Sequence, residues 1–204
     1  DVSVHQIFLP LMRGDCLYLP TYETVISPEA LDTYVRRDHI DVVDSVPALL
    51  KGLLERPATE GRLDVEYLCF GGDVLSVDVV RLIEESADIG SLINYYGPTE
   101  TCLNAAALMT EDWSRLTPVP IGRPCDNYRI YILDEELRLV PPGYAGEICV
   151  GGPSVARGYL GRSELTAEKF PPDPSGHGER MYRTGDVGRW LPDGQLDFVG
   201  RVDH

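Results

Sequence analysis

The sequence predicts an α/β chain in two parts. A parallel αβ subdomain covers residues 1–117, and a β-rich, barrel-like subdomain covers 118–204. Three observations carry this expectation. Apolar blocks in the first part alternate between helical spacing and short strand-like runs, which implies parallel pairing through helical crossovers. From about residue 118 the helical patterns thin out, and Gly- and Pro-rich turn signals separate short strand patterns. The 204 residues, 43% apolar and 25% charged, are enough for a sizeable core.

Taken in order, the chain opens on Val2-Ser3-Val4-His5-Gln6-Ile7-Phe8-Leu9, which reads as the middle of an element, so the chain is expected to be a fragment of a longer polypeptide. Ser27-Pro28-Glu29 is a helix start: a capping hydroxyl, proline in the first helical position, then an acid in the first turn. Leu31, Tyr34 and Val35 continue it at helical spacing. Ile40 to Val46 reads as a strand, and Pro47 opens a helix through Leu50, Leu53 and Leu54. Val65 to Phe70 is a second strand, ended by Gly71-Gly72. Ser76 caps a helix carrying Val79, Leu82 and Ile83. Leu92 to Tyr96 is a third strand, ended by Gly97-Pro98. In the second part Arg129 to Leu133, Gly146 to Val150 and Gln195 to Val199 read as strands, with one helix over Ser163 to Phe170 and a hairpin signal at Asp193-Gly194. Phe170 to Glu179, rich in proline and glycine, is expected to be a surface loop.

Charge and cysteine usage exclude several classes. Basic residues number 18 against 33 acids, a net charge of −15, which suits neither nucleic acid nor anionic lipid. No apolar run is long enough to span a membrane. The five cysteines are widely spaced and never form Cys-x-x-Cys, which argues against a disulfide framework or zinc site and for buried thiols in a reducing cytoplasm. His5, His39, His177 and His204 have no metal-ligand spacing, and His177 reads as a solvent-exposed loop residue. Neither standard phosphate-loop motif is present.

In a parallel sheet, ligands bind beyond the carboxyl ends of the strands. Two loops fall there, Gly71-Gly72-Asp73 and Tyr95-Tyr96-Gly97-Pro98-Thr99-Glu100-Thr101. In the second, Tyr96 offers a flat face for a planar ring, Gly97 permits close backbone approach, Thr99 could donate to a phosphate oxygen and Glu100 is a hard ligand suited to magnesium. The same residues also read as a plain strand-to-helix turn, with Thr99 as cap and Glu100 as first-turn acid. Arg183-Thr184-Gly185-Asp186 could hold an acid on a tight turn, where it accepts both hydroxyls of a ribose, or it is an ordinary loop. Arg201 could approach a ribose or phosphate, or be a plain exposed arginine.

Together these motifs resemble the adenylation domains of nonribosomal peptide synthetases, in the acyl-adenylate-forming superfamily. Tyr96-Gly97-Pro98-Thr99-Glu100 is similar to one core motif of that family. Gly146 to Gly152, Ala156 to Tyr159 and Leu165 to Phe170 are similar to the next. Tyr182 to Asp186 with Arg189-Trp190 is similar to the one after, and Gly200 to Asp203 to the segment leading into the hinge. Asp1-Val2-Ser3 is similar to the end of an upstream core. The motifs run collinearly along nearly the whole chain.

The resemblance implies part of a larger adenylate-forming core that uses ATP and magnesium to convert an amino acid to an aminoacyl-adenylate. The acyl group then passes to the phosphopantetheine thiol of a carrier protein, beside neighbouring synthetase domains. It implies that Tyr96 stacks on adenine, Asn94 bonds its amino edge and Gly72 brings backbone near the ring. Thr99 would contact the α-phosphate, Glu100 the magnesium, Asp186 the ribose and Arg201 the ribose or phosphate, while Asp203 would be the hinge to a C-terminal lid. That lid and the upstream phosphate loop are not in the chain, so the isolated piece is expected to be inactive or nearly so. Asp1 would pair with the substrate ammonium. The pocket lining would be Val2, His5, Asp44, Cys69, Gly71, Tyr95, Leu103 and Asn104, a polar set that suits a basic or strongly polar side chain. An acyl- or aryl-CoA ligase fragment, or a non-catalytic folding or docking unit, are the alternatives.

Overall fold

Strand–helix alternation in the first part becomes a parallel sheet. The computed structural model describes residues 2–56, 61–176 and 178–202. Its elements in chain order are α1 (Val2–Arg13), α2 (Tyr22–Ile26), α3 (Pro28–Arg37), β1 (Val42–Ser45), α4 (Pro47–Leu54), β2 (Leu63–Phe70), α5 (Val77–Ser86) and β3 (Ala87–Tyr96). After a single 3-10 turn at Thr99–Thr101 come β4 (Ala106–Thr110), β5 (Arg123–Pro124), β6 (Arg129–Leu133), β7 (Gly146–Gly151), α6 (Ser163–Lys169), β8 (Met181–Trp190) and β9 (Leu196–Arg201). Two units form: Asp1–Asn94 with Met109–Val119, and Tyr95–Leu108 with Pro120–His204.

In the first unit β1 pairs with β2 and β2 with β3, both in parallel. The helix starts are set locally. Ser27 accepts from the Ala30 N–H and Ser76 from the Val79 N–H, each satisfying an otherwise orphaned donor, and Pro28 and Pro47 sit where the missing N–H costs nothing. The apolar faces of these helices then bury Leu31 and Val35, Leu50, Leu53 and Leu54, and Val79, Val80 and Ile83, together with Leu63, Leu68, Phe70 and Leu92 of the strands. Each fully buried aliphatic side chain stabilises by ~1.5–3 kcal/mol. Asp32 is buried on the same face of α3. It is tolerated because Arg36 (2.9 Å) and Arg56 (2.6 Å) neutralise it. α5 ends in acids, a poor match to its dipole, and Arg62 offsets this by donating to the carbonyls of Glu84, Glu85 and Ala87.

The second unit holds an antiparallel four-stranded sheet in the order β6-β7-β8-β9. It is an open sheet: among the described residues its strands do not close into a barrel. Ala105, Ala106, Ile121, Ile130, Ile132, Ile148, Val150 and Leu196 form its core, with Tyr96, Tyr128, Trp190 and Phe198 packed on the rim.

Some elements depart from the sequence expectation for physical reasons. β8 contains Gly185 and Gly188 and three charged residues, a poor strand by propensity, but it lies between β7 and β9 and both ladders hold it. Gly188 is needed there, since a Cβ would come within 2.8 Å of the Asp197 carbonyl. The opening segment lies in helix α1, with Pro10 inside it and Val4, Phe8, Leu9, Leu11 and Met12 exposed. The 170–179 segment is only partly a surface loop. Phe170 and Asp173 are buried, and Arg129, Tyr131 and the Ser175 N–H all donate to the Asp173 carboxylate. The thiols are not uniformly buried either. Cys69 and Cys149 are, but Cys16 and Cys102 are exposed, and none of the five forms a disulfide. His177 and His204 lie outside the described residues. Among those residues, no helix is long and apolar enough to cross a membrane.

Candidate active site

Strand ends and one bulge position the candidate residues. In the first unit β1 and β2 place Asp44 level with Cys69, and β2 and β3 place Phe70 level with Asn94, which is buried. The Gly71 N–H donates to the Ser45 carbonyl at 3.4 Å as β2 ends, and Gly72 turns the chain with φ +80°. α1 brings His5 Nε2 to 2.8 Å from Asp44 Oδ2, while the Gln6 amide donates to the Asp44 carbonyl oxygen. His5, Asp44, Cys69 and Gly71 therefore cluster. Asp44 is thus paired with His5 of the same chain. Val2 is the first residue of α1. Asp1 lies outside the described residues, as does Asp203.

In the second unit β3 runs into the Gly97-Pro98 turn. Gly97 is obligatory: a Cβ there would fall 1.5 Å from the Leu103 carbonyl oxygen. The Ala105 N–H closes the loop on the Tyr96 carbonyl at 2.8 Å. Thr99 and Glu100 open the 3-10 turn, which ends after one turn rather than continuing as a helix. Pro98 precedes it without a side-chain cap, so Thr99 is not a cap, and its side chain is exposed. Cys102 (φ +61°) and Leu103 (φ +76°) follow in the left-handed region, a costly pair for residues with a Cβ. The Tyr128 hydroxyl braces them by donating to the carbonyls of Thr101 (2.7 Å) and Cys102 (3.0 Å). Tyr95, Leu103 and Asn104 are half-buried along this segment.

Asp186 is not on a tight turn. It sits within β8, level with Arg201 of β9, beside irregularities in both ladders. Its Oδ1 accepts from the Arg201 guanidinium at 2.7 Å and its Oδ2 from the Tyr96 hydroxyl at 2.7 Å. Burial and the facing Asp186 charge push the Tyr96 phenol far above its ordinary range, so it stays a donor at any working pH. Behind this group Glu147 accepts from Arg183 (2.9 and 2.6 Å) and from the Gly185 N–H (3.0 Å). Thr184 Oγ1 donates to the Ile148 carbonyl and accepts from the Asp186 N–H. These contacts fix the left-handed Gly185 and aim Asp186.

Glu100 is held as well. Tyr159 Oη donates to Glu100 Oε1 at 2.6 Å and lies 3.2 Å from Tyr182 Oη. Burial alone would raise this carboxyl. The hydrogen bonds from Tyr159, the backbone and Tyr182 outweigh it and hold the group below the usual range. One ionised carboxylate suits magnesium, which keeps most of its waters and binds through one or two protein oxygens plus substrate phosphate. Among the described residues no cluster of three or more His, Cys, Asp or Glu side chains could form an all-protein metal cage.

Tyr159, Tyr182, Glu147 and Tyr128 were not singled out from sequence. Tyr159 and Tyr182 lie inside recognised motif blocks, but the sequence carries no sign of which partner each would find.

One unit carries the parallel strand-end loops and the other the Tyr96–Asp186–Arg201 group. Residues 1–160 match the family model described as AMP-binding enzyme, and the chain belongs to that family. It is 45% identical over its whole length to bacitracin synthase 1 of Bacillus licheniformis and 44% identical to surfactin synthase subunit 1 of Bacillus subtilis (strain 168). The chain spans only 4% and 6% of those two proteins. Among solved structures it resembles holo-AB3403, a four-domain nonribosomal peptide synthetase bound to AMP and glycine. The TM-score is 0.88 at 34% identity, over all of this chain and 15% of that one. The nonribosomal peptide synthetase FmoA3, bound to α-methyl-L-serine-AMP, matches with TM-score 0.86 at 34% identity, over 98% of this chain and 23% of that one.

Proposed function

We propose that this chain is the central part of an amino-acid-activating adenylation domain of a nonribosomal peptide synthetase. The observation that carries the reading is the Tyr96–Asp186–Arg201 group: an aromatic ring, an ionised carboxylate and a guanidinium joined by two 2.7 Å hydrogen bonds. Asp186 accepts from Tyr96 and Arg201 through different oxygens, and a carboxylate is the acceptor that a ribose hydroxyl needs. The Tyr96 ring would stack on adenine, with Asn94 and the Gly72 backbone at its edge and Thr99 donating to the α-phosphate.

In the proposed reaction a carboxylate oxygen of the amino acid attacks the α-phosphorus of ATP, the bond to the bridging oxygen breaks, and pyrophosphate leaves. In the second step a carrier-protein phosphopantetheine thiolate attacks the acyl carbonyl and AMP leaves. Little covalent work falls to the protein; orientation and charge neutralisation dominate. Arg201, held by Asp186, and the exposed Thr99 hydroxyl would supply donors. Magnesium, carried by Glu100, would neutralise charge on the phosphates.

The pocket would be lined by Asp1, Val2, His5, Asp44, Cys69, Gly71, Tyr95, Leu103 and Asn104, with Asp1 on the substrate ammonium and Asp203 as hinge. His5 and Asp44 offer both a charge and a ring nitrogen, which favours a polar or basic substrate side chain over an aliphatic one. Pyrophosphate exchange with a panel of amino acids, in the intact protein, tests this. A polar or basic amino acid is expected to lead the panel, and Asp44→Ala is expected to narrow its advantage by roughly tenfold, the worth of one charged contact. An aliphatic leader, or a panel unmoved by Asp44→Ala, would refute the substrate assignment. The 204-residue chain alone is expected to exchange at or near background, and a robust rate would show that the phosphate loop and lid are dispensable.

A further inference from the structure

The Glu100 side chain and backbone are held from several sides. A glutamate on a short, half-exposed turn has three free torsions, and holding it in one pose costs side-chain entropy. Here the surroundings hold it. The Ala156 N–H donates to the Glu100 carbonyl at 2.8 Å, fixing its backbone. The Tyr159 hydroxyl takes Oε1 at 2.6 Å, and the Tyr182 hydroxyl lies 3.2 Å from that of Tyr159. Both rings are fixed in turn. Phe170, buried at the end of α6, lies edge-on to Tyr159 (centroids 5.4 Å apart) and tilted against Tyr182 (5.0 Å). The Tyr159 N–H also donates to Thr166 Oγ1 at 3.0 Å. The preceding Gly158 leaves room for Thr166, whose methyl would lie 2.3 Å from any Cβ there.

We propose that Tyr159 and Tyr182 are positioning residues that hold Glu100 by Oε1 and so present Oε2 to a divalent cation carried on the phosphates of the nucleotide. The inference rests on the reading of Glu100 as metal ligand and adds a role for two phenols outside that reading. Phenols suit the task. Each donates one hydrogen bond without adding a charge that would compete with the cation, and a rigid ring limits the entropy lost. Phe170 acts on Glu100 only through the two rings it packs.

The test is the binding of manganese with α,β-methylene-ATP to the intact protein, followed by water-proton relaxation, beside nucleotide binding in EDTA. Tyr159→Phe and Tyr182→Phe are each expected to weaken the manganese–nucleotide complex by about tenfold, the lower end for loss of a partner behind a metal ligand. The double variant should lose little more than either alone, because both act on one carboxylate. Nucleotide affinity in EDTA should stay within about twofold, since a tenfold effect (~1.4 kcal/mol) confined to the metal leaves the nucleotide site alone. Equal weakening with and without metal would mean that the phenols only support the fold, and would overturn the proposal. If Glu100→Gln weakens the manganese complex but neither Phe variant does, the positioning role fails while the reading of Glu100 stands. If Glu100→Gln itself leaves manganese binding unchanged, the reading of Glu100 fails and this proposal falls with it.

Discussion

Replacing Tyr96 by Phe separates the two roles this residue would have. The substitution keeps the ring and deletes one hydroxyl, which donates at 2.7 Å to Asp186 Oδ2. A hydrogen bond to a charged group contributes ~1.5–3 kcal/mol. The Asp186 side chain is 13% exposed and keeps Arg201 on its other oxygen, so water can partly replace the lost donor. The lower half of the range, about 1.5–2 kcal/mol, is the expected loss. Trp190 packs against the same core as Tyr96, so in a Trp113→Phe background its fluorescence during urea unfolding reports the second unit. The ring face is untouched by the change, so AMP affinity by calorimetry should move by less than about threefold. Tyr96→Ala removes the face as well and should weaken AMP by ~1–3 kcal/mol, the usual worth of one aromatic–base stack. A Phe variant as stable as the parent would refute the hydrogen bond as a contributor. An Ala variant with parental AMP affinity would refute Tyr96 as the adenine platform.

Three further outcomes follow from the geometry. Gly97→Ala puts a methyl 1.5 Å from the Leu103 carbonyl oxygen, so the loop must move. A loss of at least ~3 kcal/mol is expected in the same urea assay, and a near-neutral result would contradict the loop geometry. Asp173 has a side chain with no exposed surface. Burial alone would raise its carboxyl, but bonds from Ser175, Tyr131 and Arg129 outweigh this and lower it. A carboxyl lowered in the folded state adds stability that is complete above its unfolded value of ~3.9 and is lost as pH falls through the folded value. Asp173→Asn should therefore flatten the fall in stability below about pH 4, and an unchanged acid limb would exclude Asp173 as its source. Iodoacetamide mapped by mass spectrometry should modify Cys16 and Cys102 in the native chain and reach Cys69 and Cys149 only in denaturant. Burial and the neighbouring Glu147 push the Cys149 thiol up to about 12, and native labelling of Cys149 would contradict its burial.

What sequence alone determined is local. Ser27 and Ser76 bond N–H groups three residues on, Pro28 and Pro47 open helices, and apolar spacing marks the faces that bury Leu50 and Ile83. These interactions close within one helical turn, so residue order decides them. The Gly97-Pro98 turn was legible for the same reason. The tertiary structure decided the pairings across long stretches of chain: His5 with Asp44, Tyr96 with Asp186, Tyr159 with Glu100. It also made a strand of the Gly-containing segment 181–190 and left the antiparallel sheet open. None of this could be read locally, because a phenol or carboxylate carries no sign of its partner until packing has brought two distant segments within 3 Å.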